Sequence, residues 1–298
     1  MISIVHLGTI DYGTALQLQQ SLVELRKQNR ISDVLLLLEH PAVITLGRNS
    51  SQKNLLASSE LLRNKGVELF ESNRGGDITF HGPGQLVGYP IFDLRGFSPR
   101  IGAIEFVRRM EEALIRTCGD IGVPGERICG LTGVWTQGAG VEGFEPSANT
   151  RPRAAGSTEQ KKIAAIGVHI SRGITSHGFA LNVTTDLEYF KLIVPCGISD
   201  RPVTSIAQEL AGARSAPSME QIAYAVSLNF GRVFGRQMLW LESLDALLGT
   251  ATPPRDETAD ESESNTIGVP LKVPQNLRER RREQKTPAFD GDDEISFG

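Results

Sequence analysis

Between Arg74 and Gln85 the chain reads Arg-Gly-Gly-Asp-Ile-Thr-Phe-His-Gly-Pro-Gly-Gln, a stretch that no unbroken helix can cross. Its glycines accept positive φ or let another group touch bare backbone, and Pro83 fixes a turn that reverses the chain. Val67-Glu68-Leu69-Phe70 before it and Gln85-Leu86-Val87-Gly88-Tyr89-Pro90-Ile91-Phe92 after it have the composition of strands. The spacing predicts two ribbons joined by glycine turns, with Arg74 and His81 projecting as a wall for an elongated ligand. The same spacing also suits a plain hairpin whose glycines only connect strands.

A length of 298 residues allows one domain with appendages. With 40% hydrophobic and 22% charged residues, the composition is that of a soluble globular protein. No apolar run approaches the ~20 residues of a membrane span, and the start lacks a signal peptide's basic region and cleavage site. The expected compartment is the cytosol. A formal net charge of −4 argues against nucleic acid as a partner. Cys118, Cys129 and Cys196 are too widely spaced for a disulfide framework or a zinc pattern. The histidines show no metal-ligand spacing, and neither a P-loop nor a dinucleotide fingerprint occurs.

Periodicity predicts helices over Asp11–Arg30, Ser50–Lys65, Pro99–Asp120 and Pro217–Phe234. In the third, the expected apolar stripe is Ile101, Ile104, Val107, Met110, Leu114 and Cys118, which makes Cys118 a buried, inert thiol. Cys129 also reads as structural. Asp33–Glu39 is apolar enough for a strand buried on both faces. Lys161–Ile170 and Ile174–Val183 form a strand pair joined at Ser171-Arg172-Gly173. Residues 137–160, rich in Gly, Ala, Pro and Ser, are expected to be a mobile insertion loop. Residues 250–298 alternate acidic and basic runs and are expected to be a disordered tail beyond a folded region at 1–249.

Cys196 lies in a Pro-Cys-Gly turn, where a thiol need not be buried. A nucleophilic cysteine needs a cation or aligned amides to favour thiolate. Lys162 supplies a candidate cation, because it opens a core strand and would be partly desolvated among Ile163, Ala164 and Ala165. Residue types alone leave the plainer readings open: a chance turn cysteine and an edge lysine. His81 could orient a substrate or simply satisfy a carbonyl in its turn.

Taken together, Arg74–Gln85, Gly133-Val-Trp135, Lys162-Ile-Ala-Ala-Ile-Gly167, His177-Gly-Phe-Ala-Leu-Asn182 and Pro195-Cys196-Gly197 resemble the lipoyl(octanoyl) transferases. Leu38-Glu39-His40-Pro41 and Thr45-Leu46-Gly47-Arg48 resemble that family's early strands. The resemblance runs in order from about residue 4 to residue 245. It implies an α/β fold, a mixed sheet with flanking helices like the catalytic module of biotin and lipoate protein ligases. It implies transfer of an octanoyl group from octanoyl-acyl carrier protein to a lysine of lipoyl-domain proteins, the first step of lipoate cofactor biosynthesis. Those acceptors would be 2-oxoacid dehydrogenase subunits or the glycine-cleavage H protein. It implies a cysteine acyl-enzyme at Cys196 assisted by Lys162, with no cofactor or metal. Substrate-lining positions fall on Arg74, Gly75, Gly76, Asp77, Ile78, Thr79, Phe80 and His81. Two further groups are Ala165, Ile166 and Gly167, and Gly178, Phe179 and Ala180. An ATP-dependent lipoate ligase is the alternative, and it would have no role for a thiol. A catalytically dead scaffold for acyl carrier protein would lack Lys162 or Cys196, and both are present.

Overall fold

In the computed structural model, residues 1–136, 160–195, 201–210 and 215–249 are described. They fall within one compact unit, Met1–Asp256. Cys196, most of the expected insertion loop and the tail from residue 250 lie outside the described residues. Gln160 does not belong to that loop: it is buried, donates to Glu126 and accepts from Arg201, just ahead of the next core strand.

The chain opens with β1 (Ile2–Thr9) and α1 (Tyr12–Lys27). Asp11 caps α1, its carboxylate accepting the Thr14 amide at 2.7 Å and the Thr14 hydroxyl at 2.6 Å. Next come β2 (Asp33–Glu39) and β3 (Val43–Leu46). Leu35 to Leu38 are all fully buried, as the unbroken apolar run requires. Leu35 and Leu37 join the main core, and the two-residue period turns Leu36 and Leu38 to the opposite face.

Between Ser50 and Lys65 the expected helix shrinks to α2 (Ser59–Asn64), preceded by one 3₁₀ turn at Gln52–Asn54. Ser58 caps α2 by accepting the Leu61 amide, so the chain cannot enter the helix earlier. β4 (Glu68–Glu71), β5 (Ile78–His81) and β6 (Gln85–Ile91) follow. Here the plain-hairpin reading fails, because β5 pairs with β3 while β6 pairs with β2 and β10. The Gly82-Pro83-Gly84 turn therefore carries the chain from one sheet into another. The Glu39 carboxylate holds it by accepting the Gly84 amide at 2.7 Å.

The second half contributes α3 (Ala103–Asp120), β7 (Gly125–Ile128), β8 (Leu131–Thr136), β9 (Lys161–Ser171) and β10 (Ile174–Asn182). It ends with α4 (Ile206–Glu209), α5 (Met219–Phe234), β11 (Met238–Leu241) and α6 (Leu244–Gly249). The larger sheet has the order β11-β1-β2-β6-β10-β9-β8-β7, and the smaller is β4-β3-β5. β1 runs parallel to both neighbours and the other pairs of the large sheet are antiparallel, so the sheet is mixed as expected.

α3 and α5 contribute Phe106, Met110, Leu114, Ile222, Val226, Phe230 and Phe234 to the large core. The stripe on α3 keeps Ile101, Val107, Met110, Leu114 and Cys118 and departs from the expected one at Ile104. Phe106 is fully buried, whereas Ile104 is 80% exposed. Both fit an i, i+4 apolar pattern, and the helix follows the phase that brings Phe106 against Phe92 and Phe234. None of the described helices is long and apolar enough to cross a membrane.

Candidate active site

The site is a narrow slot at the seam between the two sheets. It is lined by β9 and β10 of the large sheet, by the glycine stretch and β5 of the small one, and by the first turn of α1. Its cavity volume is about 40 Å³. A broader surface groove of about 910 Å³ runs along α3 and α5. That groove holds no thiol or amine among the described residues, and its Arg108, Arg109, Arg116 and Arg127 are engaged with Glu105, Glu111 and Glu112. The slot is the better candidate because it gathers the sequence-predicted residues.

Strand alternation sorts the predicted wall. Arg74, Gly76, Asp77, Thr79 and His81 line the slot, while Ile78 and Phe80 point into the core beneath the small sheet. Gly75 instead fastens the roof, its amide donating to the Val168 carbonyl at 2.9 Å. Ala165, Ile166, Gly167, Gly178, Phe179 and Ala180 all line the slot. They sit on the paired strands in the register Ala165↔Ala180, Ile166↔Phe179 and Gly167↔Gly178. At Gly178 a methyl group would run into the Gly88 carbonyl of the neighbouring strand, so this register needs glycine.

Arg74 is buried and fixed from three sides. Its Nη2 donates to the Thr45 carbonyl at 2.7 Å and to the Thr45 hydroxyl at 2.9 Å, and its Nη1 donates to the Gly75 carbonyl at 3.1 Å. The Thr45 hydroxyl in turn faces His81 Nε2 at 3.4 Å. His81 Nδ1 donates to Gln85 at 2.8 Å, and Gln85 donates to Asn182, tying the two sheets together. Beside it His40, fully buried, donates through Nδ1 to the Ile10 carbonyl and accepts from the Tyr89 hydroxyl at 2.7 Å.

These imidazoles are neutral in the fold. Burial drives His81 from 6.5 down to about 3, with His40 and Arg74 adding to the effect. Burial likewise brings His40 to about 4. For His177 burial, then Arg74, then His169 bring the value to about 4. Burial also raises Tyr89 well above 10. The slot therefore offers neutral hydrogen-bonding rings around one guanidinium.

Lys162 lies on the strand that forms the slot floor, three residues before Ala165, but it is not among the lining residues. It is buried, with Nζ 5.2 Å from the centre of the Trp135 ring. The Arg201 guanidinium lies 5.7 Å from the same ring. A cation over an indole face is held by the ring quadrupole. Gly133 makes room for this arrangement. Its φ is +124°, and a methyl there would meet the Ala164 carbonyl at 2.5 Å and Lys162 Cε at 2.8 Å. The Gly133 amide is fixed by the buried Glu111 carboxylate at 3.1 Å. Gly133→Ala is expected to destabilise the fold by about 1–3 kcal/mol, because the conformation is open essentially to glycine alone. Urea unfolding measures it, and a smaller loss would mean that Lys162 yields easily.

The described residues flanking Cys196 are both tied to the site. The Val194 amide donates to the Asn54 carbonyl at 2.7 Å, and the Asn54 side chain donates to Asp77 of the slot at 2.5 Å. On the far side the Lys162 amide donates to Pro202, and Thr204 donates back to Lys162, both at 2.9 Å.

The other two thiols separate cleanly. Cys118 is fully buried and burial pushes it up to about 12, whereas Cys129 is exposed. Iodoacetamide at neutral pH should therefore leave Cys118 unmodified in the folded protein while it labels Cys129. Peptide mapping reads this directly, and labelling of Cys118 before unfolding would contradict the packing of α3.

Sequence reading missed Tyr12, Val87, Tyr89 and His177, which all line the slot. Tyr12 stacks on His81 with a centroid distance of 6.2 Å. Nothing local marks it, since it stands at the start of an ordinary amphipathic helix. His177 was visible beside Gly178, but only the structure shows its φ of 55°, rare for a non-glycine residue. Among the described residues no cluster of potential metal ligands occurs.

Comparison with known proteins adds a family. Residues 11–231 match the lipoyl protein ligase A/B catalytic domain. An octanoyltransferase from Koribacter versatilis is 56% identical over 278 residues, covering 93% of this chain and 96% of the relative. One from Acidobacterium capsulatum is 58% identical over 253 residues, covering 83% and 96%. Among solved structures, a bipartite lipoate protein ligase from Thermoplasma acidophilum superposes with a TM-score of 0.58 at 15% identity, covering 84% of this chain and 90% of that one. A lipoate-protein ligase A bound with ATP gives 0.57 at 16% identity, covering 82% and 89%.

Proposed function

The chain belongs to the lipoyl protein ligase A/B catalytic domain family, and within it we propose that it works as an octanoyltransferase through a cysteine acyl-enzyme. The donor is octanoyl-acyl carrier protein and the acceptor is a lysine of a lipoyl-domain protein. Residues 1–249 form the catalytic domain, while 137–159 and 250–298 are additions to it.

The observation that carries this reading is the buried Lys162, on the strand that lines the slot, clasped through its backbone to Pro202 and set over Trp135. Cys196 follows Val194 by two residues, a span of at most about 7 Å. Its thiolate attacks the donor's thioester carbonyl carbon. The carbonyl–sulfur bond to the carrier breaks, the carrier leaves as thiol with a proton from the Lys162 ammonium, and an acyl–Cys196 thioester remains. Before attack the same ammonium holds the negative sulfur. The acceptor amine then attacks the same carbonyl, an amide forms, and Cys196 departs as thiolate. The amine's surplus proton goes to Lys162 and restores its ammonium. One thioester replaces another and an amide is formed last, so no nucleotide is consumed.

Ile166, Phe179, Val87 and Ala180 give the slot apolar walls for the acyl chain. Each buried methylene contributes about 0.8 kcal/mol, enough to favour a medium chain over a short one. The neutral histidines do not repel it as cations would.

Intact mass after incubation with octanoyl-acyl carrier protein, without ATP or acceptor, tests the proposal. A hydroxylamine-sensitive octanoyl adduct is expected, and Cys196→Ser should not form it. Acceptor modification that requires free octanoate and ATP, with no adduct, would sink the acyl-enzyme reading in favour of a ligase.

A further inference from the structure

His177 stands on β10 opposite Val168, at the end of the slot away from Lys162. Its main-chain amide donates to the Gln19 side-chain carbonyl at 2.7 Å, and its Nε2 meets Asn73 Oδ1 at 2.7 Å. Because a backbone amide can only donate, the Gln19 oxygen is fixed towards His177 and its NH₂ points elsewhere. That Gln19 Nε2 and His177 Nδ1 are both buried with no hydrogen-bond partner among the described residues. Gln19 is 1% exposed and His177 2%. Gln19 lies two turns along α1 from Tyr12, which lines the slot, and so on the same face of the helix. A buried donor and a buried acceptor, on two residues bonded to each other, stand where His177 lines the slot. Leaving such groups dry is costly, and two polar partners suit a bound water.

We propose that Gln19 and His177 form the polar end wall of the acyl slot, holding a water molecule that sets the length of the chain accepted. The inference rests on the octanoyl-transfer reading. A chain of the accepted length stops short of the water. A longer one must displace it and bury both polar groups against methylenes. Discrimination then comes from unpaired polar groups, which reject a misfit more strongly than bulk alone. The strained backbone at His177 suits this role, since its φ of 55° persists only where surroundings hold it.

The experiment compares kcat/KM for octanoyl- and decanoyl-acyl carrier protein in the parent protein and in Gln19→Met and Gln19→Ala. Met keeps the volume of Gln but loses the amide, so it releases the water without enlarging the slot. Both variants should raise the decanoyl/octanoyl ratio by about tenfold. An increase in Gln19→Ala alone would show a steric wall and overturn the water. Equal losses for both chain lengths would show a purely structural role and overturn it too. A crystal structure of the parent protein decides independently of how the variants fold. It should show an ordered water within about 3.2 Å of Gln19 Nε2 and His177 Nδ1, and its absence would overturn the proposal. Failure of the parent to transfer octanoate at all would remove the reading beneath it, a result distinct from an unchanged ratio in an active enzyme.

Discussion

Lys162→Met should lower the rate of octanoyl transfer by about 10²–10⁴ while leaving the protein folded. Methionine keeps most of the lysine stem over Trp135 and loses only the ammonium, so packing around Gly133 and Ala164 is retained. What disappears is the group that steadies the Cys196 thiolate and carries the proton away. The cation over the ring is worth about 0.5–2 kcal/mol, which sets the expected cost in stability. Single-turnover mass measurements across pH give the rate, and urea unfolding gives the stability. A loss below tenfold would remove Lys162 from the proton path.

Acid should unfold this protein early. His40, His81 and His177 are held neutral at values of about 4, 3 and 4, against 6.5 when exposed, and burial lowers His6 as well. Above pH 6.5 these rings are neutral in both folded and unfolded chains and contribute no slope. As pH falls below 6.5 the unfolded chain takes up protons that the folded one refuses, so stability drops down to about pH 4. Each such ring contributes about 1.4 kcal/mol per pH unit, and three together about 4. Against a total of roughly 5–15 kcal/mol, that is large enough to unfold the chain near pH 5. The lowered carboxylates act later: Glu112 and Glu220 lose their contribution as pH falls below 4.5, and Asp11 and Asp93 as it falls below 3.8. Urea midpoints at pH 7.5, 6.5 and 5.5 test this, and His81→Gln should flatten the slope by about one proton. A midpoint constant from pH 7 to pH 5 would mean that the rings are not buried and neutral.

Much of this architecture was legible because it is local. The run Asp33–Glu39 could only be an inner strand, and Arg172-Gly173 takes positive φ at both residues in the turn between β9 and β10. Local spacing singled out Arg74 and His81, the family resemblance added Ala165 and Gly178, and the four line one slot. What stayed hidden depends on distant partners. Ile104 and Phe106 fit the helical period equally well, and Phe92 with Phe234 decides between them. Nothing local marks Gln19, whose side chain takes the His177 amide from 158 residues away. The turn at Gly82 looks like a hairpin because nothing near it says that β5 and β6 pair in different sheets.

The chain has two tryptophans, and the fold sets them far apart. Trp135 is buried on β8 beneath Lys162 and Arg201, while Trp240 is 39% exposed on β11 and donates to Ser227. Six strand spacings separate them in the sheet order, about 29 Å. An ionic quencher in solution reaches Trp240 and not Trp135, so the residual fluorescence reports on the surroundings of Lys162 alone. Arrival of an acyl group beside Lys162 would then change that residual light, with no label attached.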